Sequence, residues 1–377
     1  MSIKNKWFSL LALLLIWSGS VTANDYPYWR LQDFFEHHPK QEALMAAMAA
    51  RVSAPVAAQA VDTAAQEAIR VVKVYPGEQA SGYWRSSVAA FRGRMDGLGI
   101  PYQLEVHFSG PTESQFDRQL AQLSEVLASD PDYLIYTLSS STHVAVVERI
   151  LAAGRPRVIL QNITTPLRRW DGMQPMMYVG FDHIHGSHML AEQMDVDRDS
   201  GYVALLPHRG YLSEVRGESF IEAIRQSRGI TPLAVYHTDL DSQRGYRATL
   251  DALQRYPQLG MIYACSTDIA LGAVRALREQ GRLDEVVVNG WGGGDEELDA
   301  LARGELSLTV MRINDDAGVA IAEAIALDAL GRSEEVPLVF AGEMVLMEQG
   351  MSSEQRQQAR LRAFRYSAAN ASGDAPQ

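Results

Sequence analysis

From residue 70 onward, short runs of β-branched and aromatic residues alternate with longer amphipathic stretches. The apolar runs predict strands over 71–75, 102–108, 133–138, 158–162 and 178–181. Helices are predicted near 82–97, 113–129 and 142–153, where the apolar positions recur with helical spacing. The rhythm then restarts. Strands follow over 202–206, 233–236, 261–266, 286–289, 306–311 and 343–347. Helices are predicted near 213–226, 242–255, 268–280, 295–303, 315–330 and 353–364. Strand–helix alternation with nearly continuous apolar strands describes a parallel sheet covered on both faces. Two such series in succession predict an α/β protein of two doubly wound parallel-sheet domains joined by a hinge. In sheets of this kind ligands sit beyond the carboxyl ends of the strands. Two facing sheets therefore place the ligand in the cleft between them, and such a cleft closes by hinge motion.

The sequence ahead of residue 70 has a different character. Lys4 and Lys6 precede an apolar run over 7–17, and Val21-Thr22-Ala23 follows as a small-residue cleavage pattern. This is the order of a secretory signal peptide, removed after Ala23. The alternative is a membrane anchor, but the run is shorter than the roughly 20 residues that span a bilayer. Residues 24–69 form an extension, aromatic at its start, with a short helix expected over 41–51 to pack on the main body. The formal charge of −12 opposes nucleic acid binding, which needs basic patches. With Cys265 as the only cysteine, no internal disulfide can form, and Tyr263-Ala264-Cys265 reads as the end of a buried strand.

The segments after the strands are polar and aromatic. After the first, Gln79 and Ser81 offer hydrogen bonds and Trp84 a flat apolar face. After the fourth, Asn162 can both donate and accept. Arg216 falls in the first turn of a predicted helix, where the dipole favours an anion over a cation; it suits that place if it faces an anionic ligand. Thr267 or Asp268 is placed to cap the next helix. Trp291 stands among glycines at 290–294, an exposed indole suited to stacking on a sugar or furanose ring, and Arg312 ends the strand at 306–311. The ordinary readings of these residues are turns, caps and solvated surface. Taken together, two arginines, two tryptophans and several amides and hydroxyls suit a small, oxygen-rich, negatively charged ligand. The guanidinium fork stays charged and matches paired oxygens.

Several stretches resemble one known family. They are Tyr75-Pro76-Gly77 through Tyr83-Trp84, Leu160-Gln161-Asn162-Ile163-Thr164-Thr165-Pro166, Tyr178-Val179-Gly180-Phe181-Asp182-His183, and 262–270. Asn289-Gly290-Trp291-Gly292-Gly293-Gly294, Val310-Met311-Arg312 and Ala363-Phe364-Arg365-Tyr366-Ser367 complete the set. The sequence is similar here to the LuxP family of periplasmic autoinducer-2 receptors, within the ribose-binding-protein-like periplasmic binding proteins of type I. The resemblance implies a furanosyl borate diester held between two lobes, with Arg216 and Arg312 facing the borate. Gln79, Ser81, Trp84, Asn162, Thr267, Asp268 and Trp291 would hold the rest. It implies no cofactor, the boron being carried by the ligand. It also implies a partner, the periplasmic domain of a LuxQ-like membrane histidine kinase, so that contact with the membrane runs only through that partner. The division expected from such a fold is a first lobe from 70–182 plus 313–335 and a second from 183–312 plus 336–366, with a flexible tail at 367–377. The signal peptide, 40–69 and the loops near 185–200 match less well.

Other signals are weaker. His185 and His188 have one-face helical spacing, but they lie at the expected hinge, and no metal is expected. Asp195, Asp197 and Asp199 begin like a calcium loop, yet Ser200 and Leu206 stand where glycine and glutamate are required. No nucleophile elbow, phosphate loop or zinc-protease motif occurs, so catalysis is not expected. A binding protein feeding a sugar import permease shares the fold and compartment and is the alternative reading. A repressor of this fold would need a basic N-terminal module, and a glycosidase would need paired carboxylates in the cleft.

Overall fold

In a computed structural model of the chain, the described residues are 27–56, 67–76, 80, 82–109, 116–138 and 141–370. The strands are β1 (Ile69–Tyr75), β2 (Tyr102–Phe108), β3 (Tyr133–Tyr136), β4 (Arg157–Gln161), β5 (Met177–Phe181), β6 (Tyr202–Leu206), β7 (Ala234–His237), β8 (Met261–Ala264), β9 (Val287–Gly292), β10 (Leu308–Arg312), β11 (Val339–Gly342) and β12 (Met344–Glu348). The principal helices are α1 (Leu31–His37), α2 (Pro39–Ser53), α3 (Tyr83–Leu98), α4 (Phe116–Ala128), α5 (Ser141–Ala153), α6 (His183–Gln193), α7 (Ser219–Arg228), α8 (Ser242–Arg255), α9 (Thr267–Gln280), α10 (Asp295–Ala302), α11 (Asp315–Ala329) and α12 (Ser353–Ala363).

Two six-stranded sheets result. The first has the order β11-β5-β4-β3-β1-β2 and the second β12-β10-β9-β8-β6-β7. All pairings within them are parallel except β10 with β12, which run antiparallel. The two doubly wound α/β units of the sequence reading are therefore present. The strands pair this way because they are apolar on both faces: every residue of β3, β5, β6 and β8 is buried. Each buried Val, Leu or Ile contributes about 1.5–3 kcal/mol of transfer free energy. Local capping fixes several helix starts. Asp182 caps α6 by accepting from the amides of Ile184 and His185, and Asp241 caps α8 through the amide of Arg244.

The chain crosses between the sheets at Asp182, at Ile313-Asn314 and at Glu343. The last two crossings are bonded to each other, with Ile313 N donating to Glu343 O at 2.9 Å. The third crossing corrects an expectation. Residues 336–342, assigned by sequence to the second lobe, supply β11 at the edge of the first sheet, paired with β5. Only Glu343 separates this strand from β12, so the sequence shows a single strand where the chain has two. The expected flexible tail also begins too early at 367. Ser367 is buried, its amide bonded to Asp315 at 3.0 Å, while 371–377 lie outside the described residues.

The extension is more structured than expected. The helix sought over 41–51 is α2, preceded by α1. Met48 and Val52 of α2 enter the core between β1, α3 and α11, and Phe34 of α1 enters the core on the opposite face of the same sheet. Residues 1–26, with the expected signal peptide, lie outside the described residues. Among the described residues no helix is long and apolar enough to cross a membrane.

Candidate ligand-binding site

The carboxyl ends of both sheets face one small cavity. Asn162 lines it from the first sheet, and Leu212, Arg216, Leu240, Ser266, Thr267, Asp268, Trp291 and Arg312 from the second. Six of the nine residues singled out by sequence thus come together. Gln79 and Ser81 lie outside the described residues. Trp84 does not line the cavity. Its ring is buried behind it, 4.6 Å from Tyr75 and 4.8 Å from Tyr83, so the flat face expected toward a ligand is turned into the first core.

The cavity holds about 20 Å³, room for about one water, because the two lobes are closed on each other. The amide of Ala80 donates to Asp268 Oδ1 across the cleft at 3.4 Å. The hydroxyls of Thr165 and Tyr211 meet at 2.7 Å.

Local backbone places each group. Asn162 has a φ of +66°, the left-handed region that asparagine tolerates better than most residues. Its Oδ1 is buried with no partner among the described residues. Arg216 lies in a π-helical turn, Ser213–Glu218, ahead of α7; the ordinary first helical turn expected there is absent. Turns of this kind recur at functional sites because they redirect a side chain out of helical register. Ser266, rather than Thr267 or Asp268, caps α9 through the amide of Ile269. That leaves the Thr267 hydroxyl to bond Trp291 O at 3.3 Å and the Asp268 carboxyl to face the cavity.

Trp291 corrects a second expectation. Sequence ends this strand at 289 and leaves the indole exposed. Instead β9 runs to Gly292 and sets Trp291 opposite Val310 of β10, so the ring is 1% exposed. It still serves the cavity, as the platform under Arg216, whose guanidinium carbon lies 3.9 Å from the ring centre. Arg312 is stacked in the same way over Tyr83 of the first lobe, at 4.3 Å. Tyr83, His183, Leu212, Leu240 and Ser266 were not foreseen. Leu240 and Ser266 follow β7 and β8, so the strand-end rule applied to every strand would have found them. The same rule reaches His183, two residues after β5, whereas Tyr83 had no such signal.

The electrostatics are one-sided. Arg216 and Arg312 are both buried, and among the described residues no carboxylate lies within ion-pair distance of either. Among the described residues both Nε atoms lack partners, and the one hydrogen bond described for the Arg216 guanidinium runs from Nη1 to Cys265 O at 3.1 Å. Burial, and then the charge of Arg312, bring the Arg216 pKa down to about 10. Burial lowers that of Arg312 as well. His183 lies edge-on to Trp291 with ring centres 5.3 Å apart. Burial and the two guanidinia hold its imidazole well below the usual histidine range, so it adds no third charge near neutral pH. Asp268 is the one carboxyl among the described lining residues, pushed up to about 6 chiefly by burial. Cys265 sits behind the site, its thiol raised to about 12 by burial, so it is an inert core residue. The cavity offers donors and positive charge, with no pair of carboxyls for acid–base work.

Residues 71–333 match the sequence model of the periplasmic binding protein domain. The chain belongs to the periplasmic binding protein family. Among curated members, the D-allose-binding periplasmic protein of Escherichia coli K12 is 24% identical over 261 residues, covering 67% of this chain and 81% of that protein. The ribose import binding protein RbsB of Salmonella typhimurium is 31% identical over 103 residues, 27% of this chain and 34% of that protein. Among solved structures, the glucose-galactose binding protein GanP of Geobacillus stearothermophilus superposes with a TM-score of 0.64 at 21% identity. It covers 75% of this chain and 98% of its own. An ABC transporter periplasmic solute binding protein from Actinobacillus succinogenes with bound D-allose gives 0.63 at 19%, covering 77% and 99%. These relatives are solute-binding or sugar-binding proteins by name.

Proposed function

We propose that this periplasmic binding protein is exported and receives a small, oxygen-rich ligand carrying negative charge. The furanosyl borate diester form of autoinducer-2 is the ligand that best meets its site. The observation that carries this reading is the pair Arg216 and Arg312, both buried in the cleft with no carboxylate at ion-pair distance among the described residues. Leaving two like charges buried and uncompensated is strongly unfavourable, and a compact anion seated between them relieves it. Each charge-assisted hydrogen bond gained is worth roughly 1.5–3 kcal/mol net. Asp268, Thr267 and Asn162 suit the hydroxyls of a furanose ring. The reporting partner, a LuxQ-like membrane kinase, follows from the sequence resemblance alone.

The named relatives favour a second reading more directly. They bind allose, ribose, or glucose and galactose by name, so the chain would deliver a neutral sugar to an import permease. Calorimetric titration separates the two. Autoinducer-2 is titrated with and without boric acid, and D-ribose and D-allose are titrated alongside. The borate reading expects affinity to rise at least tenfold with boric acid. Equal binding with and without it, or tighter binding of either sugar, gives the site to the transport reading.

A further inference from the structure

We propose that Glu297, which lines no part of the cavity, is the positioning residue of the second lobe's half of the site. Its buried carboxylate accepts three hydrogen bonds, two from the segment that carries Trp291 and one from the neighbouring strand β10. Oε1 receives the Trp291 amide at 2.9 Å, while Oε2 receives the Gly293 amide at 2.7 Å and the Thr309 hydroxyl at 2.7 Å. All three partners are donors, the set a carboxylate takes, and such bonds are about twice as strong as neutral ones. Glu297 stands at the third position of α10. A glutamate there commonly turns back to the amide of its own helix cap; this one reaches past the cap to the strand end.

The consequence runs to both arginines. Trp291 is the platform beneath Arg216. Gly292, between the two bonded amides, packs so closely that a Cβ there would lie 3.0 Å from Arg312 Nη2 and 3.1 Å from Thr267 Oγ1. Gly290 leaves the room that Glu297 occupies, since a Cβ would come within 2.8 Å of its Oε2. One side chain thus fixes the backbone that supports Arg216, bounds Arg312 and accepts from Thr267. A residue in the hydrophobic core of the lobe would serve equally well if stability were all that was required. Two of the three donors are backbone amides of the strand end that meets the cavity, and the third ties that end to β10.

The inference rests on the cleft being the ligand site, and its test has one arm that needs no ligand. Glu297→Gln keeps the shape but turns an amide nitrogen toward at least one donor. In the ligand-free protein, hydrogen exchange at the amides of Trp291 and Gly293 is expected to quicken at least tenfold, while those of β6 in the same sheet stay as in wild type. Affinity for whichever probe the wild type binds, autoinducer-2 with boric acid or D-allose, is expected to fall at least tenfold. Glu296→Gln removes an exposed carboxylate from the same turn and is expected to leave both readouts unchanged. Should Glu297→Gln fail to fold, Thr309→Val, which deletes one of the three donors, takes its place with the same expectations. Unchanged exchange at both amides, or faster exchange with affinity intact, overturns the proposal. If the wild type binds neither probe, the functional reading fails, and the exchange arm still decides whether Glu297 holds the strand end.

Discussion

Arg216→Met separates what the cleft needs from what the fold needs. In the ligand-free protein, burial and the like charge of Arg312 take the Arg216 pKa from 12.5 to about 10. That difference amounts to about 3 kcal/mol held against the charged form, and it applies in full at neutral pH. Against it stand the stacking on Trp291, worth about 1 kcal/mol for a cation over an indole, and the bond to Cys265 O, worth about another 1 kcal/mol. Methionine fills similar volume, and its sulfur keeps an aromatic contact. The balance predicts a ligand-free protein more stable than wild type by roughly 1 kcal/mol. For a chain of 377 residues this raises the unfolding temperature by about 1–3 °C. Affinity for an anionic ligand falls at least tenfold, since one fork is gone. Differential scanning calorimetry of the ligand-free proteins, paired with titration of autoinducer-2 and boric acid, reads both effects. A variant that melts below wild type while binding the anion normally refutes the reasoning: Arg216 would then be a structural residue whose charge the fold requires.

Two further predictions concern neighbouring residues. Folded Asp268 holds its proton up to about pH 6, whereas the unfolded chain releases it near 3.8. The native state therefore binds more protons between those values, and stability falls as pH rises across the window. Asp268→Asn should remove that slope and stabilise the ligand-free protein above pH 6 by roughly 2–3 kcal/mol; urea unfolding at pH 4 and pH 7 checks it, and a slope identical to wild type counts against it. Gly292→Ala adds a methyl against Arg312 and Thr267 at a φ of +136°. It should cost about 1–3 kcal/mol of stability through backbone strain, seen in urea unfolding, and should also weaken ligand binding; a variant indistinguishable from wild type in both would show that the strand end yields easily.

Most of the architecture could be read from period and composition, because parallel strands buried on both faces are apolar throughout and cannot be confused with amphipathic helices of greater length. Val339–Gly342 escaped because only Glu343 separates it from β12, with no helix between, so the alternating rhythm shows one strand there. The site was legible wherever a polar side chain follows a strand. It failed where the strand runs on. Trp291 looks like a loop residue among glycines, yet those glycines let β9 continue beside β10, and the planar cation above the indole replaces solvent. Trp84 failed because its ring packs with Tyr75 of β1 and Tyr83 of α3 in the first core. Glu297 reads as an ordinary acidic residue in the first turn of a helix, and only the fold brings Thr309, twelve residues on, to its carboxylate.

The late return of β11 and α11 to the first sheet has a consequence for synthesis. As the chain leaves the ribosome, β1 to β5 emerge early, but the helix that covers one face of their sheet, Asp315–Ala329, and its edge strand, Val339–Gly342, arrive only after β6 to β10 of the second sheet. The second sheet in turn waits for β12. The first sheet lacks its edge until Val339–Gly342 has been made, and the second until Met344–Glu348 has been made. A polypeptide built in this order holds both sheets open until the two short strands on either side of Glu343 have emerged.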